Sequence, residues 1–105
     1  MTVPVSVIIP VLDQWRLTEA CLRSLAGTSP DDVEVVVVDN GSTDETPLHC
    51  ARLGSALFGA RFRYIRLHDN INFGPACNLG AREARGELLF FLNNDTEMNG
   101  PWAEQ

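Results

Sequence analysis

Two continuous runs of β-branched residues, Val3 to Leu12 and Val33 to Val38, constrain this chain more than any other feature. Neither alternates polar with apolar side chains, so each suits a strand buried on both faces of a sheet. Phe62 to Leu67 and Leu88 to Leu92 read as two further strands. After the first strand, Leu17, Cys21, Leu22 and Leu25 recur at helical spacing, with Arg16, Glu19 and Arg23 on the other side, until Gly27 and Pro30 stop the helix. Ser42 or Thr43 caps a second helix, Glu45 completes a capping box with Ser42, and Pro47 falls in the first turn. That helix runs to about Leu57 and closes at Gly59. Pro75 opens a third helix, which ends at Arg85 and Gly86. The order is β-α-β-α-β-α-β. It predicts an α/β fold, an open, mostly parallel sheet with helices on both faces joined by right-handed crossovers. Residues 1–105 form one domain of this kind, and Glu97 to Gln105 carry no clear element.

In an open parallel sheet the ligand lies in the crevice beyond the carboxyl ends of the strands. Here those ends are Pro10 to Asp13, Asp39 to Asp44, His68 to Gly74 and Asn93 to Asp95, and each set contains a carboxylate. Such a rim can hold a divalent cation or accept hydrogen bonds from a ligand. No G-x-G-x-x-G follows the first strand, and no G-x-x-x-x-G-K-[ST] occurs anywhere. That argues against a dinucleotide dehydrogenase and a P-loop enzyme, and leaves any phosphate to be met by a metal.

Charge narrows the partners further. Fourteen acidic residues face eight basic ones, all Arg, for a net charge of −6. A chain so charged is repelled by nucleic acid, and it has no basic stripe with interleaved aromatics. Cys21, Cys50 and Cys77 are odd in number, far apart and set among small or apolar residues, which suits buried thiols in a reducing, cytoplasmic setting. The apolar run from Val5 to Leu12 is far short of the ~20 residues that span a bilayer, so no membrane span is expected in this segment.

The strand-end residues carry a resemblance. Val5-Ser6-Val7-Ile8-Ile9-Pro10 and Val35-Val36-Val37-Val38-Asp39-Asn40-Gly41-Ser42-Thr43-Asp44 look like the opening of a family 2 glycosyltransferase of the GT-A fold. Asn70 to Gly80 is similar to that family's N-x-G-…-N-x-G stretch, and Phe91-Leu92-Asn93-Asn94-Asp95-Thr96 stands in the place of its D-x-D motif. The likeness extends from residue 3 to about residue 102.

The resemblance implies a nucleotide-diphosphate sugar donor bound by Pro10, Leu12, Asp13, Asp39, Asn78, Asn93 and Asn94. Asp39 accepts a hydrogen bond from the imide N–H of a uracil-like base, since an ionised carboxylate is a pure acceptor; the competing reading is an Asx-turn after a strand. Asp13 either touches base or ribose or caps a helix. Asn78 either meets the ligand or bonds back to the metal loop. Asp95 ligates Mg2+ or Mn2+, which bridges the donor phosphates, or else belongs to a polar turn. Asp44 is expected in the first turn of a helix. Three positions depart from the family pattern: Asn93 where an Asp is usual, Leu12 where an aromatic is usual, and Asn72 where a Gly is usual.

The implied activity is inverting transfer of the sugar to an acceptor hydroxyl, the acceptor being an unspecified saccharide or lipid-linked group. The resemblance places the general base beyond Gln105, so this piece supplies donor and metal binding and is expected to be inactive alone. An edge strand left uncovered predicts self-association. Two other functions compete with this reading: a non-catalytic nucleotide-binding or interaction module of the same fold, and a nucleotidyltransferase. The latter lacks its Gly-rich basic loop here, since Pro10-Val11-Leu12-Asp13-Gln14 does not supply one.

Overall fold

In the computed structural model, residues 5–28 and 32–94 are described. They form β1 (Val5–Val11), α1 (Trp15–Thr28), β2 (Glu34–Asp39), α2 (Thr46–Phe58), a short 3-10 turn (Gly59–Arg61), β3 (Phe62–Arg66), α3 (Phe73–Glu83) and β4 (Leu88–Phe91). The four strands make one parallel sheet in the order β3-β2-β1-β4. The chain thus winds outward from β1 through β2 to β3, then returns to place β4 on the other side of β1. That reversal creates a topological switch point between β1 and β4.

The absence of alternation in β1 and β2 is explained by burial on both faces. Val7, Ile9, Val11, Val35 and Val37 pack beneath Cys21, Leu22 and Leu25 of α1 and Cys50 and Phe58 of α2. Ile8, Val36 and Val38 face the other way, toward Ala76 and Leu79 of α3. Each fully buried Ile or Val contributes roughly 1.5–3 kcal/mol of transfer free energy. Gly80 lets α3 lie flat on this second face, because a Cβ there would come within 2.6 Å of Ile8 Cγ2.

Local details depart from the sequence expectations in three places. On α1, Cys21, Leu22 and Leu25 face inward as expected, but Leu17 is 40% exposed, and Trp15 and Thr18 are buried in the first turn instead. No capping box forms at α2. Its flanking Glu45 makes no side-chain cap, and the Ser42 hydroxyl instead accepts the Asp13 N–H at 2.7 Å. Finally, α3 begins at Phe73, which moves Pro75 from the first helical position to the third, still within the turn where no donor is lost. Gly59 closes α2 with φ 62, as its position suggests.

The end of the sheet opposite the strand termini is pinned by a buried polar network. Ser6 Oγ donates to Glu34 Oε1 at 2.7 Å, and the N–H groups of Arg85 and Gly86 donate to Glu34 Oε1 and Ser6 Oγ at 2.9 and 2.8 Å. This network fixes where the chain leaving α3 enters β4. Leu88, Leu89, Phe90 and Phe91 of β4 are nevertheless all exposed on the described structure. No described helix is long and apolar enough to cross a membrane.

Candidate functional site

Pro10 opens the sheet at the switch point. The Leu92 N–H donates to the Ile8 carbonyl at 3.0 Å, and the next bond of that ladder would need an N–H from residue 10. Proline has none, so β1 and β4 part there. On its other edge β1 stays joined to β2, where the Asn40 N–H donates to the Val11 carbonyl at 2.8 Å. The result is a crevice of about 360 Å³ between the ends of β1, β2 and β4.

Pro10, Val11, Leu12 and Phe73 give this crevice its apolar wall, and Leu12 and Phe73 are themselves exposed. Six carboxamides supply the polar lining: Gln14, Asn40, Asn70, Asn72, Asn93 and Asn94. No charged side chain lines it among the described residues. Asn40 fastens the wall formed by the loop after β3, its Oδ1 accepting the Ile71 N–H at 3.2 Å and its Nδ2 donating to the Asn72 carbonyl at 3.4 Å. Asn72 stands at φ 72 and ψ 171, an extended positive-φ backbone that glycine adopts far more readily than asparagine. Asn94 is steadied from behind by a 3.1 Å bond from its Nδ2 to Thr18 Oγ1.

Of the residues singled out in the sequence, Pro10, Leu12, Asn93 and Asn94 come together in the crevice. Asp39 lies beneath it with no exposed surface; Oδ1 accepts the Ser42 N–H at 2.8 Å and Oδ2 accepts the Tyr64 hydroxyl. Asp13 stands beside the crevice, its Oδ1 accepting the N–H groups of Thr43 and Asp44 at 2.7 and 3.2 Å. Asn78 is exposed on α3 and is not among the lining residues. Asp95 lies outside the described residues. Gln14, Asn40, Asn70 and Phe73 were not among the residues assigned to the donor, although the last three lie within the motifs quoted above; they come from the turns that precede α1, α2 and α3.

Asp44 is not in the first turn of α2. Its two oxygens accept the Trp15 N–H at 3.1 Å, where α1 starts, and the Thr46 N–H at 2.9 Å, where α2 starts. Desolvation works to raise this carboxyl, but the hydrogen bonds from Thr46 and Trp15 outweigh it and hold the group below the ordinary aspartate value. Asp13 and Asp44 therefore form a reciprocal clamp between the loops after β1 and β2. Below it, burial and then the Asp39 charge push the Cys50 thiol up to about 12, which keeps that cysteine an inert core residue.

A second cavity of about 450 Å³ lies beyond the ends of β2 and β3, lined by Gly41, Ser42, Thr43, Arg66, Leu67 and His68. The described residues contain no group of three or more His, Cys, Asp and Glu side chains placed to hold a metal. What β4 delivers to the crevice is a pair of carboxamide oxygens, from Asn93 and Asn94.

An open parallel sheet with a crevice at its switch point, walled by apolar and carboxamide groups, defines an α/β protein of the Rossmann-like kind. The family described as Glycosyl transferase family 2 matches residues 6–105, and the chain belongs to that family. It is 30% identical over 104 residues to the putative glycosyltransferase EpsH of Bacillus subtilis, covering 99% of this chain and 29% of that protein. It is 38% identical over 95 residues to a PGL/p-HBAD biosynthesis glycosyltransferase of Mycobacterium bovis, covering 89% of this chain and 36% of the relative. The chain thus spans about a third of the length of these relatives. Among solved structures, S. aureus TarS in complex with UDP superposes with a TM-score of 0.86 at 29% identity, over 96% of this chain and 30% of that one. The mannosyltransferase PcManGT from Pyrobaculum calidifontis, in complex with GDP-Man and Mn2+, gives 0.79 at 29% identity, over 87% and 27%. The GT-A fold expected from the sequence is the fold observed.

Proposed function

We propose that this chain is the donor-binding part of an inverting glycosyltransferase, which takes a sugar from a nucleotide-diphosphate donor and delivers it to an acceptor hydroxyl. The observation that carries this reading is the switch-point crevice, where Pro10 and Leu12 meet Asn93 and Asn94. Leu12 offers an apolar face to a base or ribose, and the carboxamides offer donors and acceptors to its polar edges. Asp39 acts from below, holding Ser42 and Tyr64 so that the turn after β2 keeps its shape. The complexes of TarS with UDP and of PcManGT with GDP-Man support a nucleotide donor for this chain.

A divalent cation, Mg2+ or Mn2+, fits the oxygen donors at the end of β4, since these ions take hard oxygen ligands and leave part of their shell to substrate phosphates. Asn93 and Asn94 are neutral, so Asp95 is the residue that would bring negative charge to it. Bound there, such an ion neutralises charge on a departing diphosphate. This reading assigns the acceptor site and the base that takes the acceptor's proton to the remainder of a longer protein, with the donor half working on the cytoplasmic side.

Calorimetric titration with uridine and guanosine diphosphates, with and without Mn2+, tests the reading. Metal-dependent binding is expected for one of them, weakened about tenfold or more by Leu12→Glu, which sets a charge against the donor in a crevice with no counter-charge. Failure of the unaltered protein to bind either nucleotide would overturn it. The same reading has β4 covered by further chain in a longer protein. On its own the chain is then expected to self-associate through the open edge and exposed apolar side chains of Leu88 to Phe91. Sedimentation showing a monomer at every concentration would contradict that expectation.

A further inference from the structure

We propose that Gln14 is a ligand-contacting residue of the donor crevice, presented to the neutral, hydroxyl- and amide-bearing part of the nucleotide by a strained turn that the Asp13–Asp44 clamp holds in place. The inference rests on the donor reading above and goes beyond it. Asp13 and Gln14 stand at φ 55 and φ 56, two consecutive non-glycine residues in the left-handed region. Asp tolerates that region, but Gln has no side-chain device that favours it. Five hydrogen bonds hold the pair against its strain. The Asp13 N–H is bound to Ser42 Oγ, Asp13 Oδ1 takes the N–H groups of Thr43 and Asp44, and Asp44 in turn takes those of Trp15 and Thr46.

The backbone of Gln14 has a structural use, because its carbonyl accepts the N–H groups of Leu17 and Thr18 at the start of α1. Any residue would serve that purpose, and glycine or asparagine would serve it with less strain. The side chain has no hydrogen-bond partner among the described residues and lines the crevice beside Leu12, Asn93 and Asn94. Strain retained at a residue whose free carboxamide faces a cavity is the pattern of a functional position. A carboxamide pairs donor for acceptor with hydroxyls and base edges and carries no charge to match a phosphate. The group assigned to Gln14 is on the nucleoside, where both its N–H donors and its carbonyl acceptor find partners; a phosphate oxygen would take the N–H groups alone.

Gln14→Gly separates strain from contact, since it accepts φ 56 freely and removes the carboxamide. Its Tm is expected to rise by about 2–6 °C, while its affinity for the uridine or guanosine diphosphate that the unaltered protein binds falls about five- to tenfold. Gln14→Asn, tolerant of the same backbone and carrying a shorter carboxamide, is expected to gain the same stability with a smaller loss of affinity. Titration with the matching 2′-deoxynucleotide locates the contact. A penalty that disappears with the deoxy ligand places Gln14 on the ribose, and an equal penalty places it on the base. A Tm rise with unchanged affinity for both ligands would overturn the inference while leaving the donor reading intact. A fall in Tm for Gln14→Gly would overturn it by removing the strain. If the unaltered protein binds no nucleotide, the donor reading falls and takes this inference with it.

Discussion

Gly86→Ala is expected to destabilise the protein by roughly 2–3 kcal/mol, the upper part of the range for overpacking, and to lower Tm by about 10–20 °C. An alanine Cβ at this position would lie 2.6 Å from both the backbone nitrogen and the Oγ of Ser6, and 2.8 Å from the Val5 carbonyl carbon. These are mostly main-chain atoms of β1, the strand held on both edges by β2 and β4, so no side-chain rotation relieves the clash. The Gly86 N–H also donates to Ser6 Oγ, which donates in turn to the buried Glu34. Pushing the chain away at Gly86 therefore disturbs a closed polar network as well as the entry into β4. Gly27→Ala is the matched control, since a Cβ there meets nothing within 4 Å, and it is expected to leave Tm unchanged or slightly raised. Thermal unfolding followed by circular dichroism separates the two. Equal Tm values would contradict the packing described for β1.

Asp39→Ala is expected to cost roughly 2–4 kcal/mol, because it leaves the Ser42 N–H and the Tyr64 hydroxyl without the acceptor they share, at about 1–3 kcal/mol for each buried group so orphaned. It is also expected to abolish nucleotide binding, since the turn it supports carries Asn40 and positions the loop after β3. Asp39→Asn gives a sharper readout. Tyr64 is the one tyrosine in the chain, so phenolate absorbance reports that residue alone. Burial, then the hydrogen bond to Asp39 and its charge, hold the Tyr64 hydroxyl well above its ordinary value of 10.0. A group raised in the folded state contributes stability that is complete below the unfolded value and is lost as pH climbs through the folded one. The unaltered protein should thus lose stability above about pH 10, with phenolate appearing only at strongly alkaline pH. Removing the Asp39 charge should let Tyr64 ionise at lower pH, though still above an exposed tyrosine, because burial persists. An unchanged titration would mean that the two groups are not in contact.

The architecture was legible because the middles of β1 and β2 are apolar on both faces, a pattern that a doubly covered parallel strand requires; the buried polar residues Ser6, Glu34 and Asp39 stand only near the strand ends. The strand order was less so, as nothing in Leu88 to Phe91 says which edge it joins. On α1 only Leu17 departs from the inward stripe, in the first turn after the left-handed pair at Asp13 and Gln14. Neither residue is glycine, so the turn leaves no mark in the sequence. The capping box at Ser42 failed for a related reason, since the partner that takes the Ser42 hydroxyl lies 29 residues earlier.

At the site, motif positions led to Pro10, Leu12, Asn93 and Asn94, which do gather in the crevice. Asp39 was singled out by type and place, but its enclosure depends on Tyr64, 25 residues further on, and no local pattern encodes that contact. The carboxamide lining has the same character. Gln14, Asn40, Asn70 and Asn72 come from three separate loops and become one surface only when the sheet brings the strand ends together.

The central claim is that the crevice at the β1/β4 switch point holds the nucleotide of a sugar donor. Amide chemical-shift mapping by NMR, with uridine and then guanosine diphosphate added in the presence of Mg2+, tests it most directly. The account predicts that the largest shifts for the ligand that binds fall on Leu12, Gln14, Asn40, Asn72 and Asn93, with Glu34 and Gly86 at the opposite end of the sheet unmoved. Shifts confined to that opposite end or to the outer faces of α1 and α2, or no shift with either nucleotide, would contradict it.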